Sequence, residues 1–460
     1  MCRQFRNGKL YQKTDWIVAT DFRYLRPRKA ALLRHFYEDF SRNLHPLRCV
    51  AVDGATVVPP PPAVCNDGLW DCGVTDSDWR FVAESARTDK VPEIEAYARN
   101  ASADTVAGTA MFCGFLNYHW GHFMVNSLAR LWAAVSGRYD FDRLVFAVPK
   151  NGILPLEGNI REAFRLLNFD KPIDIIDAPR RYSRVLVPEE GCSSEEYVAP
   201  EILSVYDRIA RASLAEHPYI VKSEKIYLSR GRFEKAVRSE FDVRWFDKFF
   251  AANGYRVVYP ELISLGELIS IIHGASSVAA LAGTLPHTLL FGPDNIEVTV
   301  IEKFAYINSY QPGIDLVRKL NVTYVDANAF IWPVSPGGGP FIVYPNDLFR
   351  SFCADRMLRI EDLPVHDCRK MLRQFVKAYR RQYSRQWVYE EFLEPQIGLM
   401  REAYEASESD FGDWLTGKKP LFPSDLFSPR RLAKKLISFF SLSNGDRVLS
   451  RRKLSAGSRL

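Results

Sequence analysis

The spacing of apolar and polar residues predicts strands that alternate with helices along much of the chain. A strand and a long apolar-faced helix are expected between residues 105 and 135, and a helix–strand–helix pattern spans residues 241–272. Further strands are expected at 144–148, 173–176, 185–187, 296–301 and 322–325, and further helices at 160–167 and 200–215. Such alternation is typical of α/β folds with parallel sheets.

Two segments of the second half end in corners suited to phosphate binding. An apolar strand over residues 225–228 leads into the Ser-Arg-Gly sequence 229–231, which delivers an arginine at the carboxyl end of the strand. A small-residue strand over 277–282 ends at Gly283, and Pro286 suits the first turn of a helix. Ligands bind parallel sheets at the carboxyl ends of strands, where helix amino termini and guanidinium groups match a diphosphate.

Length and composition set broad limits on the class of protein. The chain has 460 residues, enough for two or three domains, and its 47% apolar and 25% charged residues are ordinary for a globular protein. No apolar secretory signal opens the sequence, and no stretch reaches the about 18 apolar residues of a membrane-spanning helix. The eight cysteines contain no C-x-x-C pair and indicate reduced thiols in the cytoplasm. A bridge between Cys65 and Cys72 is the alternative in an oxidising compartment.

Positive charge is concentrated at the end of the chain. The net charge is +6, but residues 428–460 alone carry +8, so the remainder carries −2 and does not suggest nucleic-acid binding. Residues 426–440 combine two basic pairs, at 430–431 and 434–435, with apolar residues at 432, 436, 437, 439 and 440, a pattern that predicts an amphipathic helix on an anionic membrane face. A helix packed on the body and a disordered tail are the alternatives.

His119 and His122 lie three residues apart at the start of a predicted helix. A metal site would need at least three protein ligands, and no third is apparent nearby. The functional interpretation is that His122 takes a proton from an attacking hydroxyl near neutral pH. The alternative is a hydrogen-bonded structural histidine.

Three arginines within nine residues, Arg230, Arg232 and Arg238, come just after the strand over 225–228 and predict anion binding. Glu240 is expected to orient one of them by an ion pair. Solvated loop arginines are the alternative. The chain contains neither G-x-G-x-x-G nor G-x-x-x-x-G-K-[ST], so a nicotinamide or flavin cofactor and a P-loop are not supported.

Four segments, in order, resemble glycosyltransferase family 61, and the resemblance covers residues 74–326. The segments are 121–131, which begins Gly-His-Phe; 227–230 with 238–240; 254–258 with 260–261; and 283–291, followed by 300–302. The resemblance implies an inverting, nucleotide-sugar-dependent enzyme. It also implies a GT-B-like fold, in which two Rossmann-like α/β domains face a cleft and C-terminal helices follow.

The implied organisation has five segments. Residues 1–100 are expected to give strands and loops of the N-terminal lobe, 101–220 the acceptor-side α/β domain and 221–335 the nucleotide-sugar α/β domain. Residues 336–425 are expected to form a helical region, and 426–460 the basic tail. The form of the match is similar to bacterial members linked to capsule and lipopolysaccharide assembly. That similarity implies an oligosaccharide or lipid-linked glycan acceptor and a location in the cytoplasm or at the inner face of the membrane.

The resemblance also implies roles for single residues, without a metal or a cofactor. His122 would be the base and Glu302 would bind the donor ribose. The groups implied in donor phosphate binding are Arg230, Arg238, Gly283, Thr284 and His287. Asn126 and Glu240 would bind or orient the acceptor side, but Asn126 stands where the pattern has an acidic residue. That departure leaves open a non-catalytic relative that binds sugar nucleotides or glycans.

Overall fold

Two β-sheets covered by helices organise the part of the chain that the computed structural model describes. That part comprises residues 3–6, 9–12, 20–42, 46–61, 72–86, 94–102, 104–193, 197–218, 224–234, 240–241, 243–303, 307–327, 341–361, 374 and 377–378. All of it belongs to one compact unit, residues 1–381.

The strands are numbered in chain order. They are β1 (Arg3–Arg6), β2 (Lys9–Gln12), β3 (Thr20–Tyr24), β4 (Cys49–Asp53), β5 (Thr56–Val58), β6 (Gly73–Thr75), β7 (Thr105–Phe115), β8 (Arg143–Ala147), β9 (Ile173–Ile176), β10 (Arg180–Pro188), β11 (Cys192–Ser193), β12 (Tyr197–Val198), β13 (Glu224–Leu228), β14 (Glu240–Phe241), β15 (Arg256–Val258), β16 (Ala275–Leu281), β17 (Glu297–Glu302), β18 (Asn321–Asp326) and β19 (Phe341–Ile342).

The helices are α1 (Pro27–Arg42), α2 (Glu95–Ala98), α3 (Trp120–His122), α4 (Trp132–Val135), α5 (Gly158–Leu167), α6 (Leu203–Glu216), α7 (Val243–Ala252), α8 (Leu265–Gly274), α9 (Thr284–His287), α10 (Gln311–Val317) and α11 (Asp347–Asp355). A π-helical turn, Phe123–Leu128, and a 3-10 turn, Ala129–Leu131, join α3 to α4. Further 3-10 turns are Ala83–Ser85, Pro200–Ile202, Pro260–Leu262 and Thr288–Phe291.

The first main sheet is mixed. Its order is β6-β5-β10-β7-β8-β9, with β4 also paired to β10. The strands from β10 to β9 run parallel, whereas β4, β5 and β6 pair antiparallel. Residues 110–114 of β7 and 144–147 of β8 are buried and mostly apolar, as expected for strands covered on both faces, whereas the first half of β7 is exposed or half-buried.

The second main sheet is entirely parallel, with the order β15-β13-β16-β17-β18-β3. Side chains of β13 and β16 alternate between its two faces. Ile226 and Val278 belong to the core under α8, and Tyr227 and Ala279 to the core under α7 and α11. Strand β3 pairs with β18 and forms the outer edge of this second sheet. This part of residues 1–100 therefore adds to the second sheet, although the whole segment is expected to belong to the N-terminal lobe.

One hydrophobic core connects the two sheets, because it draws residues from β7 and β8 as well as from β13 and β16. The start of α8 is also fixed by the first half of the chain. The Glu162 carboxylate on α5 accepts from the backbone N–H groups of Leu265 and Gly266, each at 2.9 Å. Ser264 completes a capping box with Glu267 at the same helix end.

The prediction of an α/β fold with parallel strands is confirmed, and the expected elements between residues 105 and 326 are present. The predicted helices after residue 361 and the basic tail lie outside the described residues, apart from three isolated positions. Within the described part, no helix is long and apolar enough to cross a membrane. The described cysteines, Cys49, Cys72, Cys113, Cys192 and Cys353, are free thiols.

Candidate active site

The carboxyl ends of the strands of the parallel sheet hold most of the predicted site. From β13 the chain moves outward to β15 and then returns to β16 on the other side of β13. In open α/β sheets, ligands bind at such a change of direction. Residues 229–231 follow β13, and Gly283 and Thr284 follow β16, so the two predicted phosphate-binding corners are neighbours.

The half-buried carboxylate of Asp247 shapes the corner after β13. The Ser229 hydroxyl donates to Asp247 Oδ1 at 2.5 Å and accepts from the Gly231 N–H at 2.9 Å. Tyr259 donates to the other oxygen of Asp247 at 3.1 Å. Burial raises the pKa of Asp247, while the hydrogen bonds from Ser229 and Tyr259 act in the opposite direction. Arg230 in this corner is half-buried, and its guanidinium carbon lies 5.3 Å from the centre of the Phe233 ring.

The corner after β16 begins at Gly283, whose φ of 126° lies in the region that glycine adopts most readily. Helix α9 follows, and its last residue, His287, is only 4% exposed. Burial lowers the pKa of His287 to about 4, so the ring is neutral at pH 7. Neighbouring Asn308 opposes this shift, but neither ring nitrogen makes a hydrogen bond of standard geometry within the described part of the chain.

The segment with the candidate base packs directly on this corner. A β-carbon added to Gly121 would lie 2.7 Å from Thr284 Oγ1, so the backbone of α3 touches the first residue of α9. His122 is close enough to His287 for its charge to lower the pKa of His287. Tyr310 lies between them, with ring centres 6.3 Å from His122 and 6.2 Å from His287.

Asn126 faces the same group of rings from the π-helical turn. Its Oδ1 lies 3.3 Å from His122 Nδ1. Its Nδ2 donates to Glu190 Oε1 at 3.0 Å and to the Tyr310 hydroxyl at 3.2 Å. π-Helical turns occur often at functional sites. Glu190 and Tyr310 are site residues that the sequence patterns did not indicate, since neither lies in a motif.

Glu302 ends β17 on the same edge but lies in a buried charged cluster. It is 1% exposed, and its register partner on β18 is Asp326. Lys29 Nζ lies 3.2 Å from Asp326 Oδ1, and Arg26 Nε lies 3.5 Å from Asp326 Oδ2. Burial raises the pKa of Glu302 to about 8, and Lys29 partly offsets this. Glu302 is therefore largely protonated at pH 7.

Two further predicted residues, Arg238 and Glu240, lie between β13 and α7 in the chain. The Glu240 backbone pairs with Phe341 in a two-stranded sheet, and Arg238 lies outside the described residues. Across the residues with described positions, no three His, Cys, Asp or Glu side chains converge in a way that could hold a metal ion.

The ring centre of His119 lies 5.4 Å from that of His122, so three histidines lie near the two corners. Imidazoles can accept protons and guanidinium groups can bind anions, which is the chemistry that these residue types could supply here. Comparison of the sequence with protein-family models and with curated proteins gives no match.

Proposed function

We propose that the protein is an inverting glycosyltransferase that moves a sugar from a nucleotide-sugar donor to a hydroxyl of a glycan acceptor. In this proposal the fold works in the GT-B manner, with acceptor groups from the first α/β half and donor groups from the second. The contact of Gly121 with Thr284 carries the proposal, because it joins the segment of His122 to the corner expected to bind phosphate.

Donor binding is assigned to Arg230, Arg238 and the backbone amides around Gly283, Thr284 and His287. These groups would hold the diphosphate and stabilise the charge that develops on it as the bond to the sugar breaks. The neighbouring ends of β13 and β16 support this assignment. Glu302 is assigned to the donor ribose, as the resemblance implies.

His122 is assigned as the general base. The acceptor oxygen would form the new bond to the anomeric carbon while the bond to the diphosphate breaks on the opposite face, which inverts the centre. The acceptor proton moves to the imidazole of His122. We assign the acceptor to surface polysaccharide synthesis, as an oligosaccharide or lipid-linked glycan at the cytoplasmic side of the membrane.

A nucleotide-sugar screen tests the proposal. A donor that binds the folded protein raises its melting temperature by mass action, and calorimetry then gives its Kd. Arg230→Ala should weaken this donor at least about tenfold, in line with the strength of charge-assisted hydrogen bonds. Arg256→Ala is the matched control, because Arg256 pairs with Glu224 at the amino end of the same sheet.

Three outcomes separate the candidate functions. Sugar transfer that is lost in His122→Ala supports the transferase. Donor binding without turnover favours the non-catalytic relative suggested by Asn126, and free sugar released without acceptor favours a hydrolase. If no nucleotide sugar stabilises the protein, or if Arg230→Ala binds the donor as tightly as the parent, the assigned donor site is wrong.

A further inference from the structure

The Asn126 side chain connects His122 to a carboxylate. Both hydrogens of the Asn126 amide are engaged, one by Glu190 Oε1 at 3.0 Å and one by the Tyr310 hydroxyl at 3.2 Å. An ionised carboxylate only accepts hydrogen bonds, so the NH2 end of the amide must face Glu190. The carbonyl end, Oδ1, is thereby directed to His122 Nδ1 at 3.3 Å.

This orientation determines where His122 carries its hydrogen. Asn126 Oδ1 can only accept, so a hydrogen bond at 3.3 Å requires the hydrogen on Nδ1 of His122. In the neutral imidazole the lone pair then lies on Nε2. A general base needs such a lone pair on the nitrogen that meets the substrate.

The carboxylate at the far end of this chain is itself held in place. Glu190 is 4% exposed and follows β10, and its Oε2 lies 3.7 Å from Nη2 of Arg130. Arg130 is 3% exposed and donates to the backbone carbonyls of Glu84, Ala86 and Pro188 at 2.8–3.1 Å. A fixed guanidinium beside a buried carboxylate favours its ionised form.

We propose that Glu190 is a positioning residue that sets the tautomer of His122 through Asn126. Glu190 reaches the ring from the end of β10, with the Asn126 amide between its carboxylate and the imidazole of His122. The inference rests on the proposed function only where it makes His122 the base, since the hydrogen-bond chain does not depend on the substrate.

Long-range 1H–15N NMR of the histidine rings tests the tautomer without any substrate, with the His122 signals assigned from their loss in His122→Gln. The parent protein should show His122 with its hydrogen on Nδ1. Glu190→Gln should give a mixture of tautomers, because two facing amides can pair in either direction. The double variant Asn126→Asp with Glu190→Gln should restore the Nδ1–H form, since the new carboxylate accepts from His122 directly.

Two further variants keep the test decisive. Tyr310→Phe is the control and should retain the Nδ1–H form, because Glu190 still orients the amide. Asn126→Leu has a side chain of similar volume but removes the hydrogen bonds between Glu190 and His122, so it should also give a mixture of His122 tautomers. This variant replaces Glu190→Gln in the test if Glu190→Gln does not fold. A parent ring with its hydrogen on Nε2, or an unchanged tautomer in both Glu190→Gln and Asn126→Leu, would overturn the proposal.

Activity then separates this inference from the proposed function. In an active transferase, Glu190→Gln should lower kcat at least about twofold with unchanged donor Kd, because a mixture of tautomers leaves only part of the molecules with the lone pair on Nε2. If the tautomer changes as expected but no transfer is found in the parent, Glu190 positions His122 and the proposed reaction is wrong.

Discussion

Gly121 and Thr284 are in direct contact, and they come from the two different halves of the chain. The space for a β-carbon on Gly121 is taken by Thr284, with Oγ1 at 2.7 Å and Cγ2 at 3.2 Å. Because threonine is branched at its β-carbon, rotation exchanges one clashing atom for the other. The glycine therefore allows the segment of the candidate base to meet the corner that is predicted to bind phosphate.

The first prediction concerns this contact. Gly121→Ala should lower the free energy of unfolding by about 1–3 kcal/mol, as is usual for overpacking. Thr284→Ala removes both clashing atoms, so the double variant should recover most of the loss. Urea unfolding of the parent and the three variants measures the coupling. The contact does not constrain the site if the two substitutions change the free energy of unfolding additively, or if the Gly121→Ala variant is as stable as the parent.

The second prediction concerns pH and Glu302. Burial raises its pKa from 4.5 to about 8 in the folded protein. Between these values the folded chain holds a proton that the unfolded chain has lost, so this contribution is fully present below pH 4.5 and is lost as pH rises through 8. The free energy of unfolding should fall by up to about 1.4 kcal/mol per pH unit in this window.

Glu302→Gln should abolish this decline between pH 6 and pH 8, as measured by urea unfolding at each pH. Asp315, whose pKa burial raises to about 6, adds a decline of the same sign below that window. Asp78→Asn is the control, since the Asp78 side chain is 66% exposed. An equally steep decline in Glu302→Gln would place the responsible group elsewhere.

The third prediction concerns the corner after β13. Asp247→Ala removes the acceptor of the Ser229 hydroxyl and should loosen the turn that carries Arg230. Amide hydrogen exchange at Gly231 should become faster, because the Ser229 hydroxyl that accepts from this N–H loses its own anchor. Donor affinity should fall about tenfold although Arg230 is intact, an effect of the size of one charge-assisted hydrogen bond.

Asp53→Ala is the matched control for this variant, since Asp53 is an exposed acid paired with Arg184 on the other sheet. Unchanged exchange at Gly231 would contradict a role for Asp247 in holding the corner. Faster exchange with unchanged donor affinity would instead separate the corner from donor binding.

The fourth prediction concerns the basic tail, residues 426–460, which lie outside the described residues. The full chain should float with vesicles that contain about 30% anionic lipid and should be released by high salt, because the attraction is electrostatic. A chain that ends at residue 425 should stay unbound. Neutral vesicles are the control, and equal flotation of the two chains would end the membrane hypothesis.

Much of the fold could be predicted because the apolar patterns of the strands are strong and local. The neighbouring positions of Arg230 and Gly283 also follow from sequence, since both come after strands of a parallel sheet. Glu190 and Tyr310 could not be found in this way. Their importance arises from contacts with Asn126 across long sequence separations, and no local pattern records such contacts.

The edge strand β3 was missed for a related reason. Thr20–Tyr24 is a short strand with no clear period, and only its pairing with β18 reveals where it belongs. The raised pKa of Glu302 could not be predicted from the sequence either. It results from burial, which Lys29 only partly offsets, and not from neighbours along the chain.

The position of β3 has a consequence for biosynthesis. Thr20–Tyr24 is translated before its partner Asn321–Asp326, and the segments that carry His122, Arg230 and Gly283 are made in between. Strand β3 therefore cannot take its place at the edge of the sheet until β18 has been made. The ion pair of Lys29 with Asp326 likewise needs a residue that is translated almost 300 positions after it.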